Sequence, residues 1–422
     1  MQQVPNAEII TIGDELLYGQ VIDTNSAFLG QELGKLGVRV RQISSVSDRA
    51  VEIVQALDAA RERADVILIT GGLGPTKDDL TKHVLTDYFR SELVLHEPTL
   101  RHVEEIFSRS NRPMLEVNRQ QAYVPRVCVV VPNPMGTAPG MWFEDRGTVF
   151  VSMPGVPFEM KRMMTDTVLP RLQEHFHTAP IEHVVVQTVG LGESFLAQQI
   201  ADWEDALPPN FKLAYLPSLG MVRLRLTGTA DGLPDLRGRM EALLPALREQ
   251  LGNHIFAEGE VKLEEAVGQL LRERGLTVGT AESCTGGYIA QRLTSIPGSS
   301  AYFQGSIIAY HNDLKVKELG VNPATLETHG AVSEAVAREM AEGLRQHLGV
   351  DVAVAASGIA GPGGGTPEKP VGTICIAYAD AHQTVSRQLS FNRGRQLNIE
   401  YTSTAVLNLL RLSLPSVGEV VG

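Results

Sequence analysis

From residue 7 the chain alternates short apolar runs with stretches whose apolar residues recur at helical spacing, the pattern of a parallel sheet covered on both faces. Residues 7–12 predict a strand, 25–36 a helix, 38–44 a strand, 50–63 a helix and 66–70 a third strand, which is a doubly wound order. The periodicity lapses between Pro170 and Pro180. Beyond it, 184–189, 194–203, 213–216, 222–227, 236–251 and Ile255 read as β-α-β-β-α-β, a small α+β module. An amphipathic helix at 261–274 presents Leu263, Val267, Leu270 and Leu271 on one face. Strands at 276–281, 305–310 and 350–357 then alternate with helices at 288–293 and 333–348, the last capped by Ser333. Three domains are expected: 1–170, 171–257 and 258–422.

A chain of 422 residues exceeds one ordinary core. Its net charge of −12 disfavours a broad nucleic-acid or membrane-binding face. Three cysteines, Cys128, Cys284 and Cys375, stand far apart without metal-ligand spacing, which points to a reducing compartment. The first seven residues lack the apolar stretch of a signal peptide, and no uncharged run reaches the ~18 residues of a membrane span. A cytoplasmic location is expected.

Ligands of doubly wound sheets collect at the carboxyl ends of the strands. There the first strand runs into Gly13, Asp14 and Glu15, with Asp23 following, and the third into Gly71-Gly72-Leu73-Gly74-Pro75-Thr76-Lys77-Asp78-Asp79. Gly71, Gly72 and Gly74 can wrap a phosphate with backbone N–H groups and Lys77 can neutralise it. Asp78 and Asp79 can hold a divalent metal that bridges phosphate oxygens, and Glu15, Asp23 and Glu159 are further metal candidates. The opposing reading is a tight turn with acids that favour a helix N-terminus.

In the last third, Thr280-Ala281-Glu282-Ser283-Cys284-Thr285-Gly286-Gly287 lies between an apolar strand and a helix. Such a turn aims N–H groups outward beside a hydroxyl and a thiol; the competing reading is an N-cap. Two other strand ends carry Tyr310 to Lys315 and the glycine-rich run 357–365, with Gly358, Gly361 and Gly363. Serine needs a base, and no Ser-His-Asp set is evident. Lys315 is the base candidate, since a desolvated lysine loses its proton more easily, and Tyr310 would orient or relay the proton. A solvated helix lysine in Lys315-Val316-Lys317-Glu318 is the alternative.

Segments 13–25, 70–79, 132–140 and 153–160 resemble the molybdopterin-binding domain of the MoaB and MogA type, and more closely its relative at the N-terminus of the CinA family. Segment 281–287, Tyr310, Asn312, Lys315 and segments 329–333, 357–362 and 369–373 resemble the CinA C-terminal domain, also found as a free-standing nicotinamide mononucleotide deamidase. The resemblance implies an α/β protein: a MogA-like three-layer N-terminal domain, a small α+β middle module of KH type, and an α/β/α C-terminal domain. It further implies two hydrolyses. The N-terminal domain would split ADP-ribose into AMP and ribose 5-phosphate with a divalent metal, cobalt or magnesium, although the same fold suits pterin binding. The C-terminal domain, without a cofactor, would deamidate nicotinamide mononucleotide to nicotinate mononucleotide. Ser283 would attack the amide carbon, turn N–H groups would hold the oxyanion, and Thr285, Gly286, Gly287, Gly358, Gly361, Gly363 and Arg395 would bind substrate. Arg395 falls on the first of two arginines usual in the family's last helix, and the second position here is not basic. A homodimer is expected, and the family name implies a link to RecA, with a non-catalytic role in competence or recombination as the alternative to catalysis. The middle module shows no basic-flanked Gly-x-x-Gly loop, so direct nucleic-acid binding is not expected.

Overall fold

In the strand Asn6–Ile12 (β1), Ala7 and Ile9 point into one apolar core while Ile10 and Ile12 point into another, the period of two that a sheet buried on both faces requires. A computed structural model describes residues 4–76, 78–109, 113–176, 181–229 and 234–415; Lys77 lies outside the described residues. The chain divides into two compact units, residues 1–182 with 228–236 and residues 183–227 with 237–422.

In the first unit β1 is joined by Arg39–Val46 (β2), Val66–Thr70 (β3), Leu93–Leu95 (β4), Tyr123–Pro125 (β5), Val129–Val131 (β6), Gly140–Asp145 (β7) and Thr148–Met153 (β8). The main sheet runs β2-β1-β3-β8-β7-β6. Its first four strands are parallel, while β7 and β6 are antiparallel additions. Strand β3 repeats the alternation, with Val66 and Leu68 in one core and Ile67 and Ile69 in the other. Helices Thr24–Lys35 and Pro157–Met163 cover the first core, and Ala50–Arg61 with Thr81–Tyr88 cover the second, giving three layers. Each fully buried Ile or Leu contributes about 1.5–3 kcal/mol, so the two faces hold the sheet rigid and place its strand ends.

The second unit contains most of a four-stranded sheet of Ile181–Val189 (β9), Phe211–Ser218 (β10), Met221–Thr229 (β11) and Ile255–Glu258 (β12), ordered β10-β11-β9-β12. Helices Glu193–Gln199, Ala201–Asp205, Leu236–Glu241 and Leu244–Leu251 complete the expected α+β order, each long predicted helix being broken once. It also contains a five-stranded sheet of Val278–Glu282 (β13), Phe303–Ile308 (β14), Val352–Gly358 (β15), Thr373–Ala379 (β16) and Thr384–Ser390 (β17), ordered β14-β13-β15-β16-β17. β14, β13 and β15 are parallel; β16 and β17 return antiparallel. One face of β15 and β16 presents Val352, Val354, Ala356, Ile374, Ile376 and Tyr378 to helices Leu263–Arg274, Tyr288–Thr294 and Arg395–Ser413. The other presents Ala353, Ala355, Cys375 and Ala377 to Glu334–Leu348. Small residues on that face let the long helix sit close to the sheet. Ser333 caps this helix by accepting from Val336 N–H at 3.3 Å. No helix among the described residues is long and apolar enough to cross a membrane.

Candidate functional sites

Because β14, β13 and β15 are adjacent and parallel, their carboxyl ends bring together Ser283, the Ala309–Tyr310 segment and Gly358. Ser283 N–H continues the ladder to Ala356 O at 2.9 Å, which fixes the residue just past the sheet. The chain then turns through Gly286 and Gly287, both in the left-handed region at φ 61° and 99°, where a side chain would be strained. Ser283 is 8% exposed and its hydroxyl makes no hydrogen bond among the described residues. The N–H groups of Cys284 and Thr285 are likewise unengaged, and the Thr285 hydroxyl is buried without a partner. Two free N–H groups beside a free hydroxyl can stabilise an oxyanion where they converge on it.

Glu282, which the sequence reading did not single out, is fully buried with no cationic partner. Its carboxylate accepts Gly287 N–H at 3.0 Å, Ile289 N–H at 3.1 Å and Ala290 N–H at 2.8 Å, and meets the Thr280 hydroxyl at 3.2 Å. The N-terminus of helix Tyr288–Thr294 is therefore already filled by an internal anion. Gly286 N–H is bonded to Ser283 O at 3.1 Å. The turn N–H groups left without a partner among the described residues are thus those of Cys284 and Thr285, whereas Gly286 and Gly287, expected among the substrate-binding residues, have theirs engaged within the turn.

Lys315 is 1% exposed, so the solvated-lysine reading fails. It lies in helix Asn312–Leu319, whose start is capped by His311. Its ammonium donates to Ala309 O at 2.9 Å and Tyr310 O at 3.4 Å, and no carboxylate among the described residues pairs with it. Burial pulls its pKa below the ordinary 10.5, with the Cys284 thiol acting weakly the other way. No hydrogen bond joins Lys315 to Ser283 in this arrangement. The exposed Tyr310 ring turns its hydroxyl to Arg395, which donates at 2.9 Å and also donates to Gly361 O at 2.8 Å. Arg395 thereby ties the last helix to Tyr310 and the glycine run, aided by Asn398, whose amide donates to Ala360 O at 3.0 Å. Among the glycines, a Cβ at Gly358 would meet Ile374 Cα at 2.9 Å, and one at Gly361 would meet Val371 at 2.6 Å. Those two are required by the protein's own packing; Gly363 faces open space. Burial pushes the Cys284 thiol up to about 12, which argues against a thiolate nucleophile.

In the first unit a cleft of about 460 Å³ opens at the ends of β1, β3 and β8, lined by Glu15, Asp23, Asp48, Gly71, Gly72, Gly74, Asp78, Asp79 and Glu159 among others. Gly71 N–H is used by Met153 O, but the N–H groups of Gly72, Leu73 and Gly74 have no partner among the described residues, leaving a nest for an anion. Gly72 has φ 65°, and a Cβ there would collide with the Thr81 hydroxyl. Three of the five proposed metal ligands are already engaged. Asp23 caps Thr24–Lys35 through Ser26 N–H at 2.9 Å, Asp79 accepts Thr76 N–H at 2.9 Å, and Glu159 accepts the Asn133 amide at 2.7 Å. A residue missed from sequence, Asp48, follows β2 and joins Glu15 and Asp78. Burial raises its pKa above the usual carboxylate value, partly offset by the Asp14 N–H and reinforced by the charges of Glu15, Asp14 and Asp78. Asp78 is held low by the Thr76 side chain, whose hydroxyl also reaches Asp79, so a fourth candidate is engaged more loosely. The donors are all oxygen and crowded with like charge, which suits a hard divalent cation. Among the described residues no three His, Cys, Asp or Glu side chains are close enough to hold an ion by themselves. A cation held here would have to complete its shell with water and substrate oxygens.

Residues 8–174 match the family model of a probable molybdopterin binding domain, 183–257 that of the damage-inducible protein CinA KH domain, and 260–414 that of the CinA C-terminal domain. A CinA-like protein of Cytophaga hutchinsonii is 49% identical over 97% of this chain and 98% of its own, and one of Chloroherpeton thalassium 44% identical over 96% and 98%. The crystal structure of a competence/damage inducible protein from Agrobacterium tumefaciens is 40% identical, covering 36% of this chain and 92% of that one, with a TM-score of 0.35. Similarity across nearly the full length, with three family segments in the order the chain presents them, establishes that the chain belongs to the CinA family.

Proposed function

We propose that the protein is a two-site hydrolase of pyridine nucleotide salvage. Its C-terminal segment deamidates nicotinamide mononucleotide, and its N-terminal segment hydrolyses ADP-ribose to AMP and ribose 5-phosphate. The observation that carries the first activity is Lys315, a buried lysine without a counter-ion among the described residues, one strand end away from a serine hydroxyl that makes no hydrogen bond among them. Burying an unpaired ammonium costs stability, and such groups are retained where a neutral amine is useful.

In the neutral form Lys315 takes the Ser283 proton as Oγ attacks the amide carbon of the substrate. Hydrogen bonds of this kind tighten when substrate is bound. Cys284 and Thr285 N–H groups receive the negative charge that develops on the amide oxygen. Collapse breaks the C–N bond, the leaving nitrogen takes the proton from Lys315, and ammonia departs. Water then cleaves the Ser283 ester, giving the carboxylate and restoring the hydroxyl. Glu282 holds the turn so that its two free N–H groups converge. Arg395 and Tyr310 brace the glycine run over the site.

In the first unit, Glu15, Asp48 and Asp78 would hold a divalent cation, which supplies charge neutralisation for pyrophosphate cleavage and an activated water. The unpaired N–H groups of Gly72, Leu73 and Gly74 would receive phosphate oxygens. The test is direct. Purified protein is incubated with nicotinamide mononucleotide, and separately with ADP-ribose plus magnesium or cobalt, and ammonia and AMP are measured. Absence of ammonia in the first tube rejects the deamidase reading, and intact ADP-ribose with every metal rejects the second.

A further inference from the structure

Two amide side chains bracket the glycine turn of the first unit's cleft, and each has one end anchored and the other end unused. Asn25 is 8% exposed; its Nδ2 donates to Thr70 Oγ1 at 3.1 Å and to Gly155 O at 2.8 Å. The Thr70 hydroxyl spends its proton on Pro154 O at 2.9 Å, so toward Asn25 it can only accept. That fixes which end of the Asn25 amide is nitrogen. Gln121 is 3% exposed, and its Nε2 donates to Leu73 O at 3.3 Å; a carbonyl can only accept, so this amide is fixed too. Both Asn25 Oδ1 and Gln121 Oε1 are buried without any donor. Both residues line the cleft. Asn25 is tied to Thr70, where the turn begins, and Gln121 to Leu73, within it.

A buried acceptor left unpaired is costly, and a protein that keeps two of them beside one anion nest has a use for them. An oxygen-only acceptor calls for a ligand N–H or O–H. Two such acceptors, one tied to the start of a turn whose free N–H groups suit a diphosphate and one tied within it, match a diphosphate that carries a hydroxyl-bearing sugar at each end. We infer that Asn25 Oδ1 and Gln121 Oε1 each accept a ribose hydroxyl of the bound ligand and are the specificity-determining groups of this cleft. The inference rests on the nucleotide reading of the first unit and names the part of the ligand that reading leaves open. It also distinguishes a dinucleotide-like diphosphate from a bare phosphate ester, for which one acceptor would stay unpaired.

The experiment measures binding of the non-hydrolysable α,β-methylene analogues of ADP-ribose, ADP and 2′,3′-dideoxy-ADP, each called below by its parent name, to the full chain by calorimetry with magnesium present. ADP lacks the second ribose; the dideoxy compound lacks both sets of hydroxyls. Wild type should bind in the order ADP-ribose, ADP, dideoxy-ADP. Gln121→Met should weaken ADP-ribose about tenfold, the value of one buried hydrogen bond, while leaving dideoxy-ADP unchanged. Asn25→Ala should do the same for the other ribose. Because Asn25→Ala also removes the donors to Thr70 Oγ1 and Gly155 O, the comparison is made within that variant: its ratio of affinities for ADP and dideoxy-ADP should fall from the wild-type value, a ratio that loss of the anchor alone would leave unchanged. Equal loss of affinity for all three ligands in the variants would overturn the inference and make both amides braces of the turn. Equal affinity of wild type for ADP and dideoxy-ADP would overturn it as well. Failure of wild type to bind any of the three would overturn the nucleotide reading itself, along with the inference built on it.

Discussion

Replacing Lys315 by methionine separates catalysis from stability. The substitution keeps the length of the side chain in a site that is nearly solvent-free, and it removes a charge with no carboxylate partner. The loss is one hydrogen bond to Ala309 O, a carbonyl of a fully buried residue, costing about 1–3 kcal/mol when left unpaired. The bond to Tyr310 O, at 3.4 Å, adds little. The gain is the relief of burying an ammonium, about 1.36 kcal/mol for each unit by which the folded pKa lies below the unfolded one. The sign follows from proton binding. The folded protein holds this proton more weakly than the unfolded chain, so wild-type stability rises with pH between the lowered folded value and 10.5, and the burden is fully present below that window. At neutral pH the two effects oppose, and the melting temperature of Lys315→Met should stay within a few degrees of wild type. Turnover of nicotinamide mononucleotide should fall by about 10²–10⁴-fold, the usual contribution of a positioned base. Wild-type kcat/KM should rise with pH until the lowered lysine pKa is passed, and Lys315→Arg should not restore it, since a guanidinium keeps its proton. Calorimetry and an ammonia assay across pH check both halves. A methionine variant that melts as wild type does and turns over as fast would refute the role given to Lys315.

Four further outcomes are expected. Glu282→Gln replaces an acceptor of three N–H groups with an amide that matches them poorly, so chemical denaturation should show a loss of about 2–4 kcal/mol together with a lower kcat. Gly72→Ala, strained by its positive φ and by contact with the Thr81 hydroxyl, should destabilise the first unit by about 2–4 kcal/mol in a thermal scan, whereas Gly363→Ala, in open space, should be neutral within about 0.5 kcal/mol. Arg63→Ala leaves the buried Glu8 carboxylate without its bidentate partner, and because the arginine is partly exposed the loss should be about 1–3 kcal/mol by urea titration. Cys284, its thiol pushed up to about 12 by burial, should stay unmodified by iodoacetamide at neutral pH when the folded protein is digested and its peptides are weighed.

Strand positions were legible because buried parallel strands leave apolar runs that little else in a chain imitates, and β3 coincides with the run 66–70 read from sequence. The Ser333 cap was legible for a similar reason, being a local hydrogen bond set by neighbouring residues. Lys315 was not. Lys317 and Lys315 look alike in sequence, and only the seating of helix Asn312–Leu319 sends one outward and the other inward. Glu282 was invisible because its partners lie five to eight residues ahead and become neighbours only through the double-glycine turn. Asp48 belongs to the loop after β2, and the order of the parallel sheet, not chain distance, brings it to Glu15 and Asp78. Glycine-rich runs announce a close approach without saying what approaches. At Gly358 and Gly361 it is the protein's own strand and Val371.

The proposal that Ser283 is the nucleophile of an amidase, separate from the chemistry of the first unit, is tested most directly by one paired measurement on a Ser283→Ala preparation. Ammonia released from nicotinamide mononucleotide and AMP released from ADP-ribose are followed in the same protein. The account predicts loss of nearly all ammonia release with AMP release at the wild-type rate. Deamidation that survives the substitution would contradict it, as would loss of both activities in a protein that still melts as wild type does.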